Sequence, residues 1–499
     1  MTELHKALSR YFGLHSFKKG QEEIMTSVLQ KKDTIAMLPT GGGKSLCYQL
    51  PGYMMDGLVL IISPLLSLME DQVQQLKAKG EKRVAALNSM LNSAERHFIL
   101  SNISRYKFLY MSPEALSSPY VLNRLKNVPV SLFVIDEAHC ISEWGHDFRP
   151  DYSKLGPFRQ ALGKPPVLAL TATATKETLR DVTDVLGLDG LEHAVRHLYS
   201  VNRPNILLAA EHLADNAEKI SRLTELAEKL EGPGIIYCPT RKWAEELAAE
   251  LNEKTGKRTD YYHGGMDTGD RILIQQQFIH NQLDCICCTN AFGMGVDKSD
   301  IRFVIHFYPP QTAEAFMQEI GRAGRDGSPS VSILLRAPGD TELQQQIIQT
   351  ESLSDYDLEG ILAVIRDAGT DDERKLRDVL INKGVQETQA RTAVHLYLQG
   401  KTTKEQLQEE LTYRVEKKLR KMNRFSALLE RKECIRKALL SYFDESYEPE
   451  GQTGQCCSSC GLDLAPYEQK GERKNMERFE DWKLELGRIF GSESAGEFS

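Results

Sequence analysis

Short apolar runs, each long enough for one strand and separated by helical, polar stretches, set the fold class of this 499-residue chain. The first set is Thr34–Leu38, Leu58–Ser63, Lys107–Met111, Ser131–Ile135 and Val167–Leu170, and a second follows at Gly234–Cys238, Asp284–Cys288, Arg302–Phe307 and Val331–Leu335. A strand buried on both faces reads as such an unbroken run, and parallel neighbours need a helical crossover between them. The pattern predicts two α/β parallel-sheet domains in tandem, with a hinge at Ser200–Pro204. After residue 340 strand signals vanish, and Gln, Glu, Lys, Leu and Arg recur at helical spacing in Asp372–Lys383 and Thr403–Leu429, with a break at Gly369–Thr370. The expected domains are therefore 1–199, 200–340 and a helical, metal-binding region 341–465. A charged tail, 466–499, is expected to be partly disordered.

Composition narrows the class further. With 41% apolar and 26% charged residues, the chain is neither disordered nor fibrous nor a small disulfide scaffold. No run approaches the roughly 18 apolar residues that span a bilayer. Met1–Gly20 contains no apolar core of a secretory signal, so a cytoplasmic protein with no membrane partner is expected, its ten cysteines serving as thiols or metal ligands. A net charge of −8 excludes coating of nucleic acid by bulk electrostatics. Residues 401–440 nevertheless carry twelve Lys/Arg against six Asp/Glu, so any polyanion site must be local.

Three motifs carry chemistry. Thr40-Gly41-Gly42-Gly43-Lys44-Ser45 follows the first apolar run and opens a helical stretch. Glycines let backbone N–H groups close on phosphate oxygens, Lys44 reaches the β/γ-phosphates of ATP, and Ser45 holds Mg²⁺. Asp136-Glu137-Ala138-His139 follows the run ending at Ile135, which puts Asp136 in place for Mg²⁺ and Glu137 in place as general base toward the attacking water. Gly321-Arg322-Ala323-Gly324-Arg325, in the second unit, offers two guanidiniums for γ-phosphate charge, on one face if the segment is helical. Together they predict an ATP site between the two domains.

With these motifs the chain resembles superfamily 2 helicases, and in finer detail the RecQ DNA helicases. Phe17-Lys18-Lys19-Gly20-Gln21 is similar to the family's adenine-reading motif, which assigns Lys18 and Gln21 to the nucleotide. Ser63–Gln72, Thr171-Ala172-Thr173-Ala174, Tyr262-His263-Gly264-Gly265 and Ala291–Asp297 resemble further motifs of the two RecA-like core domains. His139–Pro150 resembles the aromatic-rich loop that couples DNA to ATP hydrolysis, and implies DNA contacts for Trp144, His146, Phe148 and Arg149. Independently of the resemblance, Trp144 and Phe148 offer faces on which bases stack. Leu14 departs from the family's aromatic ring and Lys18 from its arginine, which would weaken nucleotide selectivity.

Cys434, Cys457 and Cys460 have the spacing of a structural Zn²⁺ site. The family uses four cysteines; here Asp463 stands at the last position, with Cys456 as the rival fourth ligand. Cys285, Cys287 and Cys288 read as core. Residues 350–430 exceed the family's usual spacer and read as an inserted helical module. The 36 residues after Asp463 are too few for the winged-helix and terminal modules of longer relatives. The resemblance implies a monomeric ATP-dependent helicase that moves 3′–5′ on single-stranded DNA. It would unwind tailed or forked duplexes in repair, recombination or replication, with single-stranded-DNA-binding protein as a possible partner and the nucleoid as its location. The alternatives are an ATP-gated DNA-binding scaffold and an RNA helicase.

Overall fold

The computed structural model describes residues 2–64, 66–88, 91–142, 150–188, 194–292, 298–350, 355–370, 372–447 and 455–469. Seven strands form the first sheet: β1 Thr34–Met37, β2 Leu58–Ile62, β3 Val84–Leu87, β4 Phe108–Met111, β5 Val130–Ile135, β6 Val167–Thr171 and β7 Val195–Leu198. Six form the second: β8 Ile206–His212, β9 Gly234–Tyr237, β10 Thr259–Tyr262, β11 Cys285–Cys288, β12 Phe303–His306 and β13 Ser330–Arg336. The orders are β3-β4-β2-β5-β6-β1-β7 and β10-β11-β9-β12-β13-β8, and every pairing is parallel.

The nine apolar runs are the nine interior strands of the two sheets. The four strands they miss, β3, β7, β8 and β10, are the four sheet edges. Central residues such as Val59, Leu60, Phe133, Val134, Ile235 and Ile305 have no solvent exposure, because helices cover both faces. An edge strand has a neighbour on one side alone, and β7 (Val-Arg-His-Leu) and β10 (Thr-Asp-Tyr-Tyr) are partly exposed and more polar than the runs of the interior.

The helical region consists of helices Asp340–Thr350, Asp355–Asp367, Glu373–Asn382, Glu387–Leu398, Lys404–Leu429 and Ile435–Tyr442. Leu358, Ile361, Leu376, Leu380, Val394 and Leu407 give it a core of its own. The 26-residue helix Lys404–Leu429 starts from a capping box in which Thr403 and Gln406 exchange side chain–backbone hydrogen bonds. No helix among the described residues is long and apolar enough to cross a membrane. The tail expected at 466–499 lies, from residue 470 onward, outside the described residues.

The helical region joins the second sheet at a buried ion pair. Lys219 has no solvent exposure; its Nζ lies 3.0 Å from Asp340 Oδ1 and 3.7 Å from the centre of the Tyr308 ring. Asp340 Oδ2 also accepts from Ala337 N at 2.9 Å, at the start of helix Asp340–Thr350. Burial pushes the Lys219 ammonium down to about 8, against the pull of Asp340. Removing one partner leaves an uncompensated buried charge, so Asp340→Ala is expected to cost about 3–5 kcal/mol in urea unfolding. The apolar pair Lys219→Met/Asp340→Leu should recover most of that loss; a single mutant as stable as wild type would contradict the account.

Candidate active site and metal centre

The phosphate loop leaves β1, the acidic pair leaves β5, and β6 lies between them in the sheet. All three therefore end on the same carboxyl-terminal edge, where open α/β sheets bind ligands. Lys44 Nζ donates to Glu137 Oε1 at 2.9 Å. Glu137 adopts a left-handed backbone, φ 47°, uncommon for a residue with a side chain and typical of catalytic loops. Burial alone would raise the Glu137 carboxyl, but Lys44, then His139 and Arg322, hold it below the usual carboxylate range. Asp136 moves the other way: burial, and then the charge of Glu137, push it up to about 6. Two adjacent carboxyls are thus set apart, one held ionised against Lys44 and one whose ionisation burial and its neighbour make costly.

Both oxygen donors for Mg²⁺ lie around Tyr48, whose hydroxyl interacts with the Ser45 side chain and feels the Asp136 charge. Hard oxygens of a hydroxyl and a carboxylate suit that ion. His139 Nδ1 pairs with Thr171 Oγ1 at 3.0 Å, and Thr171 Oγ1 donates to Thr173 O at 2.8 Å, which ties the acidic motif to the end of β6. Gln21 is spent on the loop itself. Its Nε2 donates to Gly42 O at 3.0 Å and Gly43 O at 3.2 Å, while its Oε1 accepts from Lys18 N at 2.9 Å. Lys18 Nζ donates to Gly41 O at 2.9 Å. Any adenine contact made by these two residues is made from a side chain that also braces the phosphate loop.

The arginine motif is not helical. Helix Ala313–Ile320 ends before it, and Gly321–Gly327 run as turns. The turn lies directly on the phosphate loop. A Cβ at Gly321 would stand 2.9 Å from Thr40 Oγ1, and one at Gly41 3.1 Å from Arg325 Cγ. Arg322 is buried, and its charge is felt by Glu137 and Tyr237. The two arginines therefore reach the acidic pair and the loop by the bend of a turn.

Sequence reasoning missed the residue that holds this junction. Arg203, assigned to a hinge, donates from Nη1 to Thr40 O at 3.0 Å and Gly321 O at 2.8 Å, and from Nη2 to Ala323 O at 2.8 Å and Gly324 O at 2.7 Å. A single arginine beside a proline in a linker carries no sequence signal for such a role. Trp144, His146, Phe148 and Arg149, the expected DNA contacts, lie outside the described residues, as do 293–297 of the motif Ala291–Asp297.

Four thiols converge at the far side of β8. Cys434, Cys456, Cys457 and Cys460 bring their sulfurs within 4.8 Å of one another, with Cys434–Cys456 at 3.4 Å and Cys457–Cys460 at 3.5 Å. Tetrahedral zinc with Zn–S bonds of about 2.3 Å requires sulfurs about 3.8 Å apart, so the set fits. Cys456 completes the group of four that could hold the metal, and Asp463, expected in that place, is not part of it. Asp463 Oδ1 accepts from Ala465 N at 3.0 Å, and its backbone pairs with the Gln455 side chain. The knuckle covers the edge of β8: Leu208 N donates to Cys456 O at 3.3 Å and Ala210 N to Ser458 Oγ at 3.1 Å. Cys285, Cys287 and Cys288 are fully buried, as expected.

Residues 18–182 match the DEAD/DEAH box helicase family, 218–327 the helicase conserved C-terminal domain and 372–462 the RecQ zinc-binding family. These matches define a two-domain helicase motor followed by a zinc-binding region. Over 499 residues, 100% of both chains, the sequence is 68% identical to the probable ATP-dependent DNA helicase RecS of Bacillus subtilis. It is 41% identical to the ATP-dependent DNA helicase RecQ of Haemophilus influenzae, over 68% of this chain and 54% of that protein. The chain belongs to the RecQ family of ATP-dependent DNA helicases. Residues 372–430, which read as part of an insertion, fall inside the zinc-binding match and belong to that region. The fold is shared with the solved structures of the DNA-bound DUF1998 helicase MrfA (TM-score 0.58, 19% identity, 70% of this chain and 53% of that one) and of S. cerevisiae Dbp5 with RNA and ADP BeF3 (0.57, 18%, 70% and 91%).

Two outcomes test the site. For Asp136 a folded-state pKa of about 6 lies above its ordinary 3.8, so folding is penalised where the folded protein must ionise it. The penalty is absent below pH about 4 and grows until pH about 6, above which it is complete. Without nucleotide or Mg²⁺, Asp136→Asn should melt several degrees above wild type at pH 7.5, with the gain shrinking as pH falls toward 4, while ATP turnover is lost. At the cysteine centre, metal analysis should find about one zinc per chain in wild type and Asp463→Ala, and a marked loss in Cys456→Ser.

Proposed function

We propose that this helicase uses ATP hydrolysis between its two core domains to move 3′–5′ on single-stranded DNA and to unwind tailed or forked duplexes. The observation that carries the reading is the contact of the Gly321–Arg325 turn with the phosphate loop, opposite the Lys44–Glu137 pair. A nucleotide bound there touches both domains, so hydrolysis changes their separation.

The residues divide the work. Lys44 exchanges Glu137 for the β/γ-phosphates, which releases the Glu137 carboxylate to accept a proton from the attacking water. Ser45 and Asp136 would hold Mg²⁺, which neutralises phosphate charge when bound. Arg322 and Arg325 stabilise charge on the transferring phosphoryl group. The relatives named as DNA helicases support the DNA substrate over RNA. Trp144 and Phe148 supply stacking faces that follow the acidic motif closely in sequence, a short path from a bound base to Glu137.

The test runs ATPase assays side by side with single-stranded DNA, single-stranded RNA and no nucleic acid, then unwinding of 3′- and 5′-tailed duplexes. Strong stimulation by DNA, weak stimulation by RNA and unwinding from the 3′ tail are expected. Lys44→Ala should lose turnover while keeping DNA binding, and Trp144→Ala should keep the basal rate while losing DNA stimulation. Equal stimulation by RNA, or unwinding from the 5′ tail, overturns the proposal.

A further inference from the structure

The described ion pairs and hydrogen bonds contain a continuous path between the cysteine centre and the nucleotide loop, made of two arginines, one buried and one partly buried. Arg436 stands two residues after Cys434, in helix Ile435–Tyr442, and is 3% exposed. Its Nη1 donates to Asn202 Oδ1 at 2.8 Å and to Arg203 O at 3.0 Å. Its Nη2 donates to Ile206 O and, at 3.0 Å, to Cys456 O. One guanidinium therefore binds the backbone of a cysteine of the centre and the backbone of Arg203. The next guanidinium, that of Arg203, binds four carbonyls: one in the phosphate loop, Thr40, and three in the arginine-bearing turn, Gly321, Ala323 and Gly324.

The chemistry of the four acceptors is the argument. A guanidinium taken largely out of water is costly to desolvate, and burial pushes Arg203 down to about 10 against the pull of Asp326. It is held by neutral carbonyls that converge on a planar fork, a geometry that lysine cannot reproduce. Asn205 completes the grip, donating to Gly324 O and Ser328 O, each at 2.9 Å. Three of the four Arg203 acceptors belong to the turn that carries Arg322 and Arg325, so a shift of Arg203 moves both arginines relative to Thr40. A misplacement of about 1 Å in a catalytic constellation costs up to a hundredfold in rate.

We propose that Arg203 is a positioning residue for ATP hydrolysis, which sets the distance between the arginine-bearing turn and the phosphate loop, and that Arg436 ties this setting to the cysteine centre. The inference rests on the ATP-driven reading above and adds to it: the zinc region acts on turnover through a bonded path. The donors of both guanidiniums are spent on protein acceptors and not offered to the nucleotide site, so the effect falls on the catalytic rate more than on ATP affinity.

The test compares Arg203→Lys and Arg436→Lys with wild type in the full chain. Readouts are kcat and KM for ATP at saturating single-stranded DNA, DNA affinity without nucleotide, zinc content and melting temperature. For Arg203→Lys we expect kcat to fall by about ten- to a hundredfold, KM to change by less than about threefold, and zinc content and DNA affinity to match wild type. Arg436→Lys should shift the same parameter in the same direction by a smaller factor. Wild-type kcat in Arg203→Lys overturns the proposal, and so does a fall in kcat that is matched by loss of zinc or of folded protein in both variants. If Arg203→Lys alone fails to fold, wild-type kcat in Arg436→Lys overturns it. Wild type without DNA-stimulated ATPase would instead refute the helicase reading itself.

Discussion

Two glycines set how closely the two sheets approach at the nucleotide site, and the rest of the site depends on that approach. Gly321 admits Thr40, and Gly41, at φ +82°, admits the stem of Arg325. A Cβ at Gly321 would press on Thr40, and one at Gly41, besides straining its backbone, would crowd the Arg325 stem. Small residues are favoured here because side chains of the opposite segment press on the glycine backbone, a demand quite separate from the more familiar one of closing on phosphate.

The electrostatics follow from that closeness. Bringing Asp136 and Glu137 together in a buried cleft costs stability, and the protein offsets the cost by giving them different partners. Lys44 lowers both carboxyls: at Glu137, to which it donates, it outweighs burial, whereas at Asp136 burial and the charge of Glu137 win and the pKa rises. On the proposed mechanism a divalent cation would relieve the second carboxyl, and a triphosphate would take Lys44 from the first. The resting site is therefore organised around charges that its ligands will redistribute.

The helical region is attached unevenly. Toward the second core domain it uses buried groups: Tyr442 Oη donates to both oxygens of Glu314 at 3.0 Å, Phe425 packs on Phe316, and Lys219 meets Asp340. Toward the first core domain it uses more exposed ion pairs, Lys417–Glu177 at 3.0 Å, Lys154–Glu373 at 2.7 Å and Arg391–Glu114 at 3.8 Å. Exposed pairs contribute little and are screened by salt, whereas the buried contacts are costly to break. The helical region is therefore held more firmly by the second core domain than by the first.

The sequence by itself determined the nine interior strands, because a strand covered on both faces is predominantly apolar, and it determined the phosphate loop, the acidic pair and the arginines, because phosphate chemistry accepts few residue types. Only the tertiary structure decided the four edge strands, which have a single strand neighbour and, β8 apart, are too short or too polar to stand out. It also decided that Cys456 and not Asp463 completes the thiol group, since Asp463 is drawn into a turn at Ala465. Arg322 and Arg325 were legible as chemistry but not as geometry, their spacing fitting a helix that the glycines replace with a turn. Arg203 was legible as neither: its four partners are backbone carbonyls, which every residue has, and their convergence exists only once two distant segments of chain have come together.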